Sequence, residues 1–539
     1  MMIDTTAWKR LAVAVGLSLG AAIASSGLMG ERSQAQLLSV PSVQDRLGPF
    51  CQQSSAEVAQ KNQLRLASAS SDEAWSSYTR IVADHRLALE RCRQQTFPRT
   101  QAIWLRLHPC DIDPLVLADV MDRIVNLGYN RVYIEVFYDG QVLLPRAEAG
   151  PWKPVAPDTD LFATALKAAR TRGLSAYAWV FSLNFGYSYA QRGDVQNSLA
   201  RNGVGETSLV SPEQVEGTTG AAAGPDQVFV DPHSPQIRQE YMRMMQSILQ
   251  RRPDGVLFDY IRYPHGTGDR MIAYRPNDLW IFGPSSRQAF LDLATNEAGR
   301  DLLGRFLDRG YVTAGDIAAV RSAHPKSLPA WRSPTPGKVG VQPPQFTRWP
   351  SAAVGQREYQ RKLWPLAITF ARQTILDYLD FVSAPVRQQR IPSGAVFFPE
   401  GNRQIRGGYD SRLQPWQSFS ESVEWHPMSY AVCGGTSCIG DQVQQVLEAS
   451  PVGTEVCPVL AGSWKEALGR PALSFQFGEL QRRFPQLQCV STFAYSWTEI
   501  EHDRQRASCS AGPLSSFPAP ERVVTLERVP NSAMLNTAL

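Results

Sequence analysis

The stretch Arg251–Gly266, RRPDGVLFDYIRYPHG, ends an apolar run at Asp259 and follows it at once with Tyr260, Arg262 and Tyr263. A buried strand such as Val256-Leu257-Phe258 has little reason to finish on a bare carboxylate. Asp259 therefore needs a partner, a hydrogen-bond network or a task. The same arrangement, a polar group just past an apolar run, recurs at Asp139 in IEVFYDG, Asn184 in AWVFSLN and Glu400 in AVFFPEGN, at His426 and Tyr430 in EWHPMSYA, and at Trp497 in TFAYSW. Glu135 lies two residues deeper in its run, and strict alternation puts it on the same face as Phe137. Carboxyl groups gathered among aromatic rings are what glycosidic cleavage requires: one protonated acid for the leaving oxygen, one ionised group as nucleophile or base, and flat apolar faces on which sugars stack.

Asp259 and Glu400 are the expected catalytic pair. Glu135, Asp139, Trp179, Asn184, Arg262, Tyr263, His426, Tyr430 and Trp497 are expected to hold sugar hydroxyls or to tune the carboxyls. Six of them have a structural alternative: a cap or an Arg262 partner for Asp259, a satisfied barrel group for Glu135, a loop position for Glu400, a hydrogen-bonding role for His426, core packing for Trp179 and Trp497. Metal chemistry is not expected, since there is no CxxC or HExxH spacing and the seven His are scattered. No cofactor is expected either, because no Gly-rich nucleotide loop follows the first strand candidate.

Positioning these residues at one place is a task for a regular scaffold. Strand candidates run over 102–107, 131–137, 174–181, 255–259, 394–399, 423–430, 456–461 and 490–496. Amphipathic stretches lie between them at 114–127, 161–172, 235–250, 366–382, 442–449 and 473–484, with a weakly marked one near 415–421. Asp113-Pro114 and Ser234-Pro235 read as helix starts, Gly128 and Gly173 as helix stops. Eight strands alternating with helices predict an α/β fold, a (β/α)₈ TIM barrel, in which strand C-terminal ends form the active face. A long insertion, His265 to about Pro365, rich in Pro, Arg and Trp, separates strand four from its helix, and SSRQAFLDLATNEAGRDLLGRFLDRGYVTAGDIAAV inside it reads as helical. A Gly-rich loop, EGTTGAAAGPDQ, precedes Val228.

Ahead of the barrel, residues 43–93 carry apolar residues at three and four spacing and predict a helical hairpin. The first 35 residues combine Lys9 and Arg10, an uncharged run from Leu11 to Gly30, and Ser33-Gln34-Ala35, the pattern of a secretory signal peptide. The expected domains are thus a signal peptide (1–35), the hairpin (36–98), the barrel (99–500) with its insertion at 265–365, and a tail (501–539). Export makes the chain periplasmic or extracellular and leaves it without a membrane span once the signal is removed. The eight Cys are then expected in disulfides, Cys51 with Cys92 across the hairpin and Cys433 with Cys438 in a short loop, with Cys110, Cys457, Cys489 and Cys509 open. Net charge is +4 with no concentrated basic block, which argues against a nucleic-acid partner.

The segment VFVDPHSPQIRQEYMRMMQSILQRRPDGVLFDYIRYP resembles the Asp-Pro, helix, Asp-Gly-x-x-Phe-Asp-x-x-x-Tyr-Pro signature of the family-10-like glycosyl hydrolases, exported barrels that include enzymes acting on denuded peptidoglycan. NRVYIEVFYDGQVLLPR, ARTRGLSAYAWVFSLN and HPMSY extend the resemblance, which covers most of residues 101–500 but neither hairpin nor insertion. It implies a barrel acting on glycan, with Asp259 at the catalytic carboxylate position. This chain departs from the pattern at Tyr260, where a second Asp is frequent, at Met428, where Gln is usual, and at Trp104-Leu105-Arg106, where the family reads Trp-x-Thr. The expectation is an exported glycoside hydrolase acting on a polysaccharide such as peptidoglycan glycan strands. The alternatives are a non-catalytic glycan-binding barrel of the envelope, and a scaffold that docks an envelope protein partner through its hairpin.

Overall fold

The computed structural model of the chain describes residues 47–209, 227–335, 341–464 and 469–508. Parallel strands form its centre: β1 Thr100–Leu105, β2 Arg131–Tyr138, β3 Ser175–Phe181, β4 Gly255–Asp259, β5 Ser393–Phe397, β6 Glu424–Pro427, β7 Val459–Ala461 and β8 Cys489–Phe493. They lie side by side in the order β6-β5-β4-β3-β2-β1-β8-β7. Single parallel bridges, Trp425 to Val456 and Met428 to Val459, bring the two ends of this sheet together. The result is a nearly closed (β/α)₈ barrel, the architecture the alternating pattern predicts.

The flanking helices include Pro114–Asn126, Leu161–Thr171, Pro235–Gln250, Ser437–Ala449 and Leu473–Arg483. The first buries Val116, Leu117, Val120, Met121, Ile124 and Val125, a stripe at helical spacing that leaves it no stable alternative to packing on the sheet. Its start is fixed by the Asp113 carboxylate, which accepts from Leu115 N at 2.8 Å, with Pro114 following. Gly128, at φ +83°, ends it, and a Cβ there would lie 2.1 Å from the Phe50 carbonyl oxygen, so only glycine lets the hairpin segment approach this turn.

Two elements differ from expectation. The helix expected at 366–382 runs over Ala352–Gln388 with Pro365 and Pro385 inside it. Each proline forfeits a backbone hydrogen bond, but the buried side chains on either side, from Tyr359 through Phe370 to Val386, hold the helix through both. It packs on Pro235–Gln250 and is therefore the barrel's fourth helix, extended at its start into the insertion. The link after β5 contains only a 3₁₀ turn, Trp416–Ser418, where a fifth helix would stand.

The insertion folds into helices Pro284–Leu291, Glu297–Arg309 and Ala314–Ala323. Asp231, from the Asp-Pro motif, fastens it to the barrel: its carboxylate accepts from Ser286 Oγ at 2.6 Å and Ser286 N at 2.9 Å. A three-stranded antiparallel patch, Ile272–Ala273 with Gly408–Asp410 and Gln404–Ile405, laces the loops after β4 and β5 together.

The hairpin helices are Ser55–Ala67 and Asp72–Gln95, and the expected Cys51–Cys92 disulfide joins the second to the segment before the first. Cys433–Cys438 is likewise formed, and of the cysteines left open Cys457 pairs with Cys489, joining β7's approach to the start of β8. There is no free cysteine among the described residues. The expected signal peptide, the tail beyond 508 and all but the end of the Gly-rich loop lie outside the described residues. Among the described residues no helix is long and apolar enough to cross a membrane.

Candidate active site

β4 delivers Asp259 to the C-terminal end of the barrel, where the chain turns sharply because Tyr260 takes a left-handed conformation at φ +54°. The turn lets Tyr260 N donate to one Asp259 oxygen at 2.7 Å, while Trp179 Nε1, from β3, donates to the other at 3.1 Å. Asp259 keeps 8% of its surface exposed. Burial pushes its pKa up to about 6; the Tyr260 amide, the Arg262 charge and the Trp179 indole pull the other way, and the charge of Glu135 adds to the rise. A carboxyl group in this state is half protonated near pH 6, the condition a general acid requires.

Glu135 reaches the same place by a departure from alternation. The register between β2 and β3 shifts between Glu135, opposite Trp179, and Phe137, opposite Val180. This bulge sends the two side chains to opposite faces, contrary to the strict-alternation expectation: Phe137 packs on Trp152, Phe185 and Tyr241 outside the barrel, whereas Glu135 faces Asp259. Glu135 has no exposed surface and is ion-paired through both oxygens to Arg106, whose side chain is 48% exposed and lies 4.2 Å over the Tyr138 ring.

The aromatic surround is continuous. Trp179 meets Trp104 edge-to-face at 4.7 Å, and Phe493 lies 6.2 Å from Trp179, 6.1 Å from Tyr430 and 6.0 Å from Trp497. Tyr430 stands close enough to Asp259 that the carboxylate charge, after burial, raises its hydroxyl pKa well above 10. Trp497 keeps part of its ring exposed. Arg470, from the loop after β7, lies over Tyr430 at 5.9 Å and over Trp497 at 5.3 Å.

Glu400 follows β5 and sits 3.6 Å from Arg412, which is held by Asp410 at 2.7 Å; its second oxygen is buried without a hydrogen-bond partner. The charge of Glu135 adds to the rise of the Asp259 pKa. Arg262 lies between Phe229, Tyr260 and Phe398 and donates to the Tyr263 carbonyl at 2.9 Å. Burial pushes its pKa down to about 10.

Four expected sugar contacts are buried or engaged within the protein. His426 has no exposed surface, bonds Glu424 at 3.2 Å and stacks edge-to-face on Tyr133 inside the barrel, with Gly394 so close that a Cβ would sit 2.6 Å from Nε2. Asp139 is consumed by Ser188, accepting from its N at 2.9 Å and its Oγ at 2.8 Å. Asn184 is buried and caps Gly186 N at 3.2 Å. Tyr263 is buried, and burial and then Asp231 raise its hydroxyl pKa, with Thr374 opposing. In each case local closure of a loop or of the barrel core took the polar group that a strand-end position alone suggested was available. Arg106, just past the end of β1, and Arg470 were not among the expected site residues; Arg470 lies in the loop after β7, where no local pattern says where its side chain points. Among the described residues no group of His, Cys, Asp and Glu could hold a metal ion.

No protein-family model matches the chain, and no curated protein matches it. Among solved structures it is similar to the β-N-acetylhexosaminidase of Bacteroides fragilis NCTC 9343, with TM-score 0.37 and 10% identity over 76% of this chain and 64% of that one. It is also similar to a GH20 exo-β-N-acetylglucosaminidase from Vibrio harveyi in complex with N-acetylglucosamine, with TM-score 0.35 and 8% identity over 78% of this chain and 56% of that one. An inactive mutant of the Vibrio harveyi enzyme gives TM-score 0.34 and 8% identity over 74% of this chain, which spans only 51% of that one. The likeness is too distant to carry any residue's role across.

Proposed function

We propose that the chain is an exported glycoside hydrolase cleaving O-glycosyl bonds of a polysaccharide, such as peptidoglycan glycan strands, at the C-terminal mouth of its barrel. The observation that carries this reading is Asp259: a strand-end carboxyl with a pKa pushed up to about 6, next to a second carboxylate and set among Trp179, Tyr430, Phe493 and Trp497. Asp259 donates its proton to the glycosidic oxygen as the bond to the anomeric carbon breaks. A carboxylate, Glu135 or Glu400, faces the positive charge that develops on the ring, and water completes the cleavage. Arg106 orients Glu135, and Arg262 limits the rise of the Asp259 pKa. Disulfides fit an oxidising compartment outside the cytosol.

One observation favours a second reading, a glycan-binding barrel without turnover: Glu135 has no exposed surface, so its carboxylate meets a sugar only if Arg106 moves. Release of reducing ends separates the two. Purified peptidoglycan glycan strands and a panel of other polysaccharides are incubated with wild type, Glu135→Gln and Glu400→Gln. We expect wild type to release reducing ends from at least one of them, and Glu135→Gln to lose about 10²–10⁴-fold in kcat while Glu400→Gln loses about tenfold or less. The reverse order would make Glu400 the partner of Asp259; no release by wild type from any glycan would leave the binding barrel as the function.

A further inference from the structure

We infer that the mouth is built for an anionic glycan, with Arg470 receiving the acid substituent of a sugar bound against Trp497 and Tyr430. This rests on the mouth being the glycan site. Four arginines surround it, and three of them make hydrogen bonds or ion pairs within the protein. Arg106 is taken by Glu135, Arg412 by Asp410 and Glu400, and Arg262 is buried between three rings and bonded to the Tyr263 carbonyl. Arg470 differs: among the described residues it has neither an ion pair nor a hydrogen bond, and its guanidinium lies over the Tyr430 and Trp497 rings.

A guanidinium offers five donors in a planar fork suited to a carboxylate or a sulfate, and ring faces satisfy none of those donors directionally. Arg470 is also partly desolvated, since burial pulls its pKa downward, with the Tyr430 hydroxyl opposing. A desolvated cation attracts an incoming anion more strongly than an exposed one does. Its rings are the same ones that link, through Phe493, to Trp179 and so to Asp259. A sugar packed on Trp497 therefore lies beside the guanidinium and within the same aromatic floor as the acid. A neutral polysaccharide would leave the guanidinium unmatched.

The test is a binding measurement by calorimetry with Asp259→Asn, which removes turnover, and with the same protein carrying Arg470→Gln or Arg470→Lys. The probes are matched pairs: peptide-free peptidoglycan glycan strands before and after amidation of their carboxyls, alginate oligosaccharides before and after carboxyl reduction, and chondroitin sulfate oligosaccharides before and after desulfation. We expect at least one acid-bearing probe to bind about tenfold tighter than its neutral counterpart, equivalent to ~1.4 kcal/mol. Arg470→Gln should abolish that preference at an unchanged melting temperature, Arg470→Lys should keep part of it, and salt should weaken it. The pair that shows the preference tells carboxylate from sulfate. The inference is overturned if no acid-bearing probe outbinds its neutral partner, or if Arg470→Gln keeps the preference. Hydrolysis by wild type of a neutral glycan with no acid preference would overturn it while leaving the glycosidase reading intact; acid-selective binding without any hydrolysis would do the opposite.

Discussion

The mouth of the barrel and the seam beneath the hairpin are both clusters of charge drawn out of water, and they handle it in opposite ways. In the seam, Asp122 accepts from Arg172 Nε at 2.8 Å and from the Tyr78 hydroxyl at 2.7 Å, with Lys61 3.9 Å away. Asp119 faces Arg65 at 3.0 Å, Arg123 at 3.1 Å and His502 at 3.0 Å, and despite burial these partners hold its carboxyl far below the usual range. At the mouth the balance is reversed: Asp259 is raised, and Arg470 has no acid partner among the described residues. Burying a charge is tolerated where geometry supplies its counter-charge; on the proposed reading, the partners of Asp259 and Arg470 come from outside.

The sharpest way to break this comparison is to remove one carboxylate from each cluster. Asp259→Asn keeps size and most hydrogen bonding but cannot supply a proton, so glycan hydrolysis should fall by about 10³–10⁴-fold, while the melting temperature holds or rises. A variant that is destabilised yet fully active would place Asp259 with the structural groups. Asp122→Ala should do the converse. It strands Arg172, Lys61 and the Tyr78 hydroxyl in a seam where Lys61 is only 1% exposed, and should cost about 3–5 kcal/mol by chemical denaturation, with activity per folded molecule unchanged. Unaltered stability would mean that the seam is wet or open in solution.

The same contrast explains what could be read from the residues and what could not. The barrel follows from local patterns: Gly255–Asp259 and Pro235–Gln250 have the very bounds that the apolar run and the Ser234-Pro235 start predict, because strand, cap and helix face are each specified within a few residues. The prolines at 365 and 385 mislead, since a helix clamped along its length outweighs a local breaker. Within the candidate site, Asp259, Trp179 and Tyr430 lie near one another, as their strand-end positions, a local property, lead one to expect. Glu135 was placed on the face of Phe137 because a bulge is invisible to a period of two. His426 and Asn184, expected to hold sugar hydroxyls, bond instead to Glu424, brought by the closed barrel, and to Gly186, brought by a loop turn. Partnership between residues far apart in the chain decides whether a polar group is free, and no local pattern contains it.

The smallest effect is read through the pH dependence of stability, where burial favours the neutral form of one acid at the mouth and one base in the seam. Asp259 titrates near 6 in the folded protein against about 4 when unfolded, so the folded state holds more protons between those values. Its contribution is fully present below pH 4 and is lost as pH rises through 6, a fall of at most about 3 kcal/mol over that window. Lys61 is depressed, by burial first and then by the charge of Arg172 against the pull of Asp122 and Asp119, to about 8 from 10.5. Here the unfolded chain holds more protons between pH 8 and 10.5, so stability from this group rises across that range and is lost as pH falls through 8. Asp259→Asn should therefore flatten the wild-type decline between pH 4 and 6, and Lys61→Met should flatten the rise above pH 8, each read as the difference from wild type in urea denaturation. The declining limb of hydrolysis should also be centred near pH 6, since the acid must be protonated to act. If either substitution leaves its limb unchanged, that group is not shifted toward its neutral form by burial.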